Sequence, residues 1–378
     1  MNLFSFMSIK SGFFFRYSAM SMVLLLLVKS TCSQDLNYLF RSGDEGYSCF
    51  RIPAAVTTVK GSILVFAEAR KNSCQDAGDI DLVMKRSEDG GKTWSKMQIV
   101  WDDSANTCGN PAPVVDRYTG NIILLSTWNK GTDHEAQIIN GKSSDTRHVF
   151  VLTSKDDGIS WSKAKDISSD TKQPDWTWYA TGPCNGIQIR AKKNRGRLII
   201  PCDHIEAGTK KYYSHVIYSD DGGTNWKLGG STPADQVNEC TVAELPGGKL
   251  LLNMRNYSSQ KVRQTSCSYD GGLSWSALKP DTALREPVCQ ASMIWYKRQH
   301  GRRSFLAFSN PASSTKRMNM TVKLSYNKGK TWKKQLQVYA GPSAYSNLVI
   351  IPDGRLACLY EAGVKSPYEG IAFKELVW

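Results

Sequence analysis

The same octet returns five times along this chain: Ser-x-Asp-x-Gly-x-x-Trp at Ser87 to Trp94, Ser154 to Trp161, Ser219 to Trp226 and Ser268 to Trp275, then once more at Ser325 to Trp332 with Asn327 in place of Asp. A carboxylate or amide two residues before a Gly builds a self-capped turn. The side chain accepts backbone N–H groups, the Gly takes φ > 0, and the Trp pins the turn to its surroundings. These Asp residues therefore hold turns and do no chemistry. Repetition at this spacing points to an architecture of stacked, similar units.

A second repeat lies between the octets. A strand-like segment, a Gly turn and an apolar strand recur in 52–70, 111–128, 186–203, 240–255, 288–310 and 346–361, around Gly61, Gly120, Gly196, Gly248, Gly301 and Gly354. Each of the first five hairpins precedes one octet, giving a unit of two hairpins. With 16 Tyr, 11 Trp and 30 Gly the composition also favours pleated strands and tight turns over a helical bundle. Residues 34–378 divided by six hairpins give about 57 per unit, which predicts one all-β domain: a six-bladed β-propeller of four-stranded antiparallel blades. After the sixth hairpin only one strand-like stretch follows, around 371–374. The segment 36–41 is therefore expected to supply the missing strand of the last blade and close the ring.

The N-terminal segment reads as a secretory signal peptide, residues 1–33. Lys10 and Arg16 precede an apolar run of seven residues, Met22 to Val28, and Thr31-Cys32-Ser33 offers a small-x-small cleavage site before Gln34. The run is too short for a transmembrane helix, which needs roughly 20 apolar residues. Losing Lys10, Arg16 and Lys29 takes the net charge from +14 to +11, so the surface stays basic. Nine of the ten cysteines lie after Cys32, so at least one thiol is unpaired or pairs between chains. The expected location is secreted or lysosomal, where disulfides are permitted. Asn256 and Asn319 head glycosylation sequons.

In an antiparallel hairpin the start of the first strand and the end of the second lie together, opposite the turn. Residues flanking the six hairpins should therefore converge on one face. They are Arg51, Glu239 and Tyr345 before first strands, Arg70, Asp203, Arg255 and Glu361 at the ends of second strands, and Asp76 and Arg317 on loops beyond. Singly, each is an ordinary rim ion pair. Together they make a site for an anionic ligand, because planar guanidinium groups match a carboxylate bidentately. The other basic residues are scattered without an RNA- or DNA-binding motif, which sets nucleic acid aside. With five His and no CxxC spacing, a protein-built zinc site is not expected.

Several of these residues sit in segments that carry a resemblance. Tyr47-Ser48-Cys49-Phe50-Arg51-Ile52-Pro53, Phe66-Ala67-Glu68-Ala69-Arg70, Asn238-Glu239, Asn253-Met254-Arg255, Ser309-Asn310-Pro311 leading to Arg317, Gly341-Pro342-Ser343-Ala344-Tyr345-Ser346 and Leu359-Tyr360-Glu361 resemble the exo-sialidases (neuraminidases) of the bacterial and animal, non-viral type. The octets are similar to that family's Asp boxes. The resemblance implies an exo-α-sialidase that removes terminal sialic acid from glycoproteins, gangliosides or oligosaccharides with retention, using no metal or organic cofactor. Arg51, Arg255 and Arg317 would grip the substrate carboxylate, with Glu361 beneath Arg51 and Arg70 and Asn110 as further contacts, Asn110 toward the N-acetyl group. Tyr345 would be the nucleophile, Glu239 its base and Asp76 the acid/base. Asp79 and Asp81 are rival acids in the same loop; Asp76 is favoured by its distance from Arg70 and from the first octet. Trp128, Trp176, Trp178 and Tyr179 either border the substrate or belong to the core. Sialidases with a Tyr nucleophile are an established exception to the two-carboxylate scheme of glycosidases. The alternatives are a trans-sialidase, with the same residues plus an acceptor platform, and a non-catalytic sialoglycan-binding propeller.

Overall fold

The computed structural model describes residues 36–297 and 303–377. The expected signal peptide and the turn expected around Gly301 lie outside these residues. Strands dominate, and the helices among the described residues are two short ones, Glu135–Ile139 and Ser168–Thr171. No helix there is long and apolar enough to cross a membrane.

The strands follow the chain in antiparallel four-stranded meanders. The first runs Cys49–Thr57, Ile63–Arg70, Ile80–Ser87 and Gln98–Trp101. The second runs Thr107–Val115, Ile122–Asn129, His148–Ser154 and Lys165–Asp166. The fourth runs Val237–Glu244, Leu250–Asn256, Val262–Ser268 and Lys279–Arg285. In the third, between them, the leading strand is broken into Trp176–Thr181 and Ile187–Gln188, both paired to Leu198–Glu206. It begins ten residues before the Gly186 expected from sequence. The strand Lys334–Ile350 closes the fifth meander with its first half and opens the sixth with its second, pairing to Met318–Ser325 and then to Leu356–Ala362. The sixth is completed by Gly370–Leu376 and, as the sequence predicts, by Tyr38–Arg41 from the other end of the chain, with Phe40 opposite Ile371.

Burial falls outward along each meander. Ile63–Arg70 is buried at every position, whereas the outermost Lys279–Arg285 is mostly exposed. Strands covered on both faces need continuous apolar sequence and edge strands do not, which is why the hairpins and not the outer strands were readable. Six apolar clusters each join one meander to the next. The last joins the sixth to the first, packing Val349, Leu359 and Phe373 against Phe50, Val65 and Val83. The octets build the turns expected of them. In the first, Asp89 Oδ1 accepts from the N–H groups of Lys92 and Thr93, and Gly91, at φ +90°, lies so close to Phe373 that a Cβ would meet its ring at 2.7 Å.

Candidate active site

The ladder registers slip at one place in several inner hairpins, and each slip falls on residues the sequence singled out. The bulges lie between Arg51 and Ala54, between Gly109 and Ala112, between Val237 and Cys240, and between Ser343 and Ser346. A bulge inserts an extra residue, bends the strand and re-aims a side chain. Ile52 and Asn110 take φ +57° and +53° there, and Val288 takes +56°. For β-branched Ile52 and Val288 this left-handed backbone costs about 1–3 kcal/mol each. Both strained residues serve the site: Ile52 N–H donates to Glu361 Oε1 at 2.9 Å, and Val288 O accepts from Arg317 Nη2 at 3.3 Å.

Glu361 is fully buried and takes four donors. Arg51 Nε and Nη2 reach its two oxygens at 3.0 and 3.3 Å, and the Ile52 and Tyr345 N–H groups bind at 2.9 and 3.1 Å. One carboxylate thus fixes an arginine from the first meander and the backbone of Tyr345 in the sixth. The Arg51 guanidinium stacks over Tyr368 at 4.3 Å, whose hydroxyl accepts from Arg317 Nη1 at 2.9 Å. Arg51 and Arg317 lie 5.2 and 5.5 Å from the centre of the Tyr345 ring.

Tyr345 Oη donates to Glu239 Oε1 at 2.5 Å. Arg255 Nη1 bridges the pair, 2.6 Å from Glu239 Oε2 and 3.1 Å from Tyr345 Oη. Burial, then the Glu239 charge, push the Tyr345 hydroxyl well above the usual phenol value, while Arg255 and Arg317 pull it down. The phenol therefore rests protonated, with a base at its proton and cations placed to stabilise the phenolate.

Of Asp76, Asp79 and Asp81, Asp76 is the one that lines the cavity. Its Oδ1 lies 2.7 Å from Arg70 Nη1 and 3.3 Å from Arg51 Nη1, and its side chain is 61% exposed. Burial raises its pKa, but Arg70 and Arg51 outweigh that and hold it below the ordinary carboxylate value. Of its rivals, Asp81 is buried elsewhere, accepting from Tyr47 Oη at 2.6 Å, and neither it nor Asp79 lines the cavity. A disulfide joins Cys49 to Cys74, so the Asp76 loop is tied to the strand that carries Arg51. The other seven cysteines among the described residues are free thiols.

The cavity, about 140 Å³, brings together every site residue expected from sequence except Glu361, which lies beneath its floor. Asn110 is already engaged, its Oδ1 accepting from Thr127 Oγ1 and Arg147 Nη2, each at 3.0 Å. Of the four aromatics only Trp178 lines the cavity. Trp128 bonds Asp103, Trp176 stacks on His204 and Tyr179 is core. Sequence reasoning missed Arg147, Glu135 and Tyr257, and it read Glu68 only as part of a motif. Glu68 binds Arg70 at 2.6 Å and the Asn110 N–H at 2.7 Å, joining two meanders. The glycosylation amide of Asn256 is buried and donates to Val262 O at 2.7 Å. A larger cavity of about 370 Å³ is walled by side chains such as Val56, Ile187, Val242 and Ile350 and holds none of this chemistry, so charge and geometry, not size, pick the site.

A family model described as a BNR repeat-like domain matches residues 61–358. The chain is 32% identical over 356 residues to a sialidase of Bacteroides fragilis, covering 89% of this chain and 64% of that one. It is 30% identical over 362 residues to an exo-alpha-sialidase of Aspergillus fumigatus, covering 88% and 84%. Among solved structures, the Hadza microbial sialidase Hz136 superposes with a TM-score of 0.81 at 30% identity, over 89% of this chain and 67% of that one. The chain thus spans less than two thirds of the length of the Bacteroides relative. The repeated turns, the residues converging on one cavity and these matches agree, and the chain belongs to the sialidase family.

Proposed function

We propose that this chain is an exo-α-sialidase that hydrolyses terminal α-linked sialic acids of glycoproteins, glycolipids or oligosaccharides with retention, on a six-bladed β-propeller. The carrying observation is the Tyr345–Glu239 hydrogen bond of 2.5 Å set beside Arg255 and below Arg51 and Arg317. Sialic acid bears a carboxylate on its anomeric carbon. Three arginines converging over one tyrosine suit an anion held at the reacting centre, where a carboxylate nucleophile would be repelled and a neutral phenol is not. Glu239 takes the phenolic proton as Tyr345 Oη attacks the anomeric carbon. Asp76 protonates the departing oxygen, then activates the water that releases the sugar from Tyr345, so two inversions give net retention.

The low pKa of Asp76 in the free site fits this sequence. A substrate carboxylate on Arg51 cancels part of the cationic field that keeps Asp76 ionised, and the acid gains its proton when a leaving group is present to receive it. The six clusters that link each meander to the next, and the sixth to the first, support the propeller reading. The Cys49–Cys74 disulfide supports a secreted or lysosomal location.

The test is fluorophore release from a 4-methylumbelliferyl sialoside, with Tyr345→Phe and Arg51→Ala beside the unaltered chain. Turnover that falls by about a thousandfold or more in both, with the α-anomer appearing first by NMR, is the expected result. A folded chain that binds sialyl-lactose without turnover would be a lectin-like propeller, and one that makes more sialylated product than free sialic acid when lactose is added would be a trans-sialidase.

A further inference from the structure

The larger cavity, about 370 Å³, lies at the far end of the strands that build the first. Each of the six meanders lends it the end of its leading strand: Val56, Val114, Ile187, Val242, Ile294 and Ile350 line it, all close to the hairpin turns. Arg51, Asn110, Glu239 and Tyr345 lie toward the opposite ends of four of these strands. A hydrogen-bonded layer separates the two cavities. Asn347, between Tyr345 and Leu348 in the chain, accepts from the Asn185 N–H at 3.2 Å and donates to Asn185 Oδ1 at 3.1 Å. Beside it Gln290 Nε2 donates to Pro183 O at 2.7 Å and to Ser346 O at 3.0 Å.

The polar side chains of this wall are spent on the fold, apart from two cations. Thr57 Oγ1 donates to Ile350 O, and Gln188 Nε2 to Asp116 Oδ1, each at 2.5 Å. Glu244, the single acid in the lining, accepts from the Arg190 and Ala191 N–H groups at 2.8 Å each. Arg117 and Arg190 stand exposed at the rim. Arg117 Nη2 donates to Gln188 O at 2.6 Å, and neither guanidinium forms an ion pair among the described residues. Burial, then the Arg190 charge, lower the pKa of Arg117, so two like charges face each other with only Glu244, already engaged, to relieve them.

An apolar interior favours an apolar guest, and two open guanidinium groups at its mouth favour an anion on the same molecule, since a carboxylate can accept from both. The volume falls in the range of small-molecule sites, about 300–1,000 Å³. A bilayer would need apolar side chains that project, and on the hairpin turns at this end Val59 and Tyr118 are the exposed large hydrophobics among the described residues. We propose that this cavity binds a single-chain amphipathic carboxylate, its alkyl chain between the six leading strands and its carboxylate shared by Arg117 and Arg190. Lys60, Lys192, Lys193 and Arg195, exposed on the neighbouring turns, extend the positive rim. The site stands apart from the reaction at Tyr345 and needs nothing from the sialidase reading.

The experiment is calorimetric titration of the full chain with hexanoate, octanoate and decanoate, and with octan-1-ol as the neutral counterpart of octanoate. One molecule is expected to bind per chain, with Kd tightening about fourfold for each methylene buried. Octanoate is expected to bind about tenfold or more tighter than octan-1-ol. Arg117→Gln combined with Arg190→Gln, both at exposed positions, should cut that advantage below about threefold while leaving the chain-length trend in place. Ile187→Trp, which fills the cavity from its partly exposed wall, should weaken decanoate at least tenfold, whereas Arg51→Ala, in the other cavity, should change it less than twofold. A tightening under about 1.5-fold per methylene overturns the proposal whether or not any variant folds. So does an octanoate advantage that survives in the double arginine variant, or binding lost in Arg51→Ala, which would place the carboxylate beside Tyr345. Binding to phosphatidylserine vesicles with none to free decanoate would mark this end as a membrane-docking surface and equally overturn it.

Discussion

Replacing Glu361 by Gln changes one atom in the interior, and its cost can be worked from the four donors that converge there. The carboxylate accepts from Arg51 Nε and Ile52 N–H on one oxygen and from Arg51 Nη2 and Tyr345 N–H on the other. A glutamine keeps one acceptor and turns an NH2 toward the other two donors. Two buried donors are then orphaned at about 1–3 kcal/mol each. Arg51 also loses its buried counter-charge, since Asp76 is largely exposed and its pull is screened. Breaking a buried pair from one side typically costs about 3–5 kcal/mol, and because these contributions overlap that range is the expected total. Against a usual stability of about 5–15 kcal/mol this is a large fraction. Equilibrium urea unfolding followed by tryptophan fluorescence measures it as a shift in midpoint at unchanged slope. Arg51→Met combined with Glu361→Gln removes the stranded cation, and should be more stable than Glu361→Gln alone while staying inactive. A loss under about 1 kcal/mol for Glu361→Gln, or a double variant weaker than both singles, would refute the account of Glu361 as the keystone of the site.

Three further outcomes are expected. Asp76→Ala should slow a natural sialyl-lactose about 100-fold more than a methylumbelliferyl sialoside, because an activated leaving group needs little protonation; equal losses on both substrates would deny Asp76 the acid role. Replacing Cys49 and Cys74 by Ala opens a loop with a sequence separation of 25, worth about 3.5 kcal/mol in the chain-entropy estimate, and frees the Asp76 loop, so kcat should fall with stability; intact kcat in the folded double variant would show that the tether does not place the acid. Burial lowers His204 to about 3 and holds His215 well below its ordinary value, so both stay neutral in the fold while the unfolded chain takes up protons below about 6.5. That stability is fully present above 6.5 and is lost as pH falls, at up to about 1.4 kcal/mol per unit for each ring. Asp81, raised to about 6 mainly by burial, and Asp203, raised by burial and the Glu239 charge, act in the opposite direction and together offset roughly both rings between pH 6 and 4.5. A urea midpoint that falls steeply between pH 6 and 4.5 would contradict the balance.

The architecture was legible because its signals are local. The Ser, Asp, Gly and Trp of each octet lie within eight residues, and the apolar inner hairpins contrast with their polar edges. Tyr345, Glu239 and the arginines were legible because they flank those hairpins, so chain position alone sends them to one end. The bulges at Ile52, Asn110, Glu239 and Tyr345 left no such mark, since a register slip depends on the partner strand as much as on the bulged one. Arg147 was illegible for a related reason. It follows a long excursion after Asn129, and its partners Asn110, Thr127 and Trp178 are fixed only by packing of the second meander on the third. The broken leading strand of the third meander escaped because Thr181 to Ile187 resembles a loop, although Trp176–Thr181 before it already pairs with the hairpin.

The pairing of Tyr38–Arg41 with Gly370–Leu376 has a consequence in time. Arg51 and its buried partner Glu361 are separated by 310 residues. At a translation rate of about 5–20 residues per second, the first meander waits on the order of 15 to 60 seconds before the last can reach it. During that wait Arg51 has no Glu361, Tyr345 does not yet exist, and the inner face of Cys49–Thr57 has nothing from the sixth meander to pack against. Meanders two to five can form in order as they emerge, but the cavity is completed in one late step, when Glu361 and Tyr345 reach Arg51. A circular permutant opened between the third and fourth meanders would make Arg51 and Glu361 near neighbours in synthesis. The waiting interval would then pass to the contacts that cross the cut, such as the one Ser214 Oγ makes with Asn238 O, and the order in which the site assembles would become a property of where the chain starts rather than of the fold.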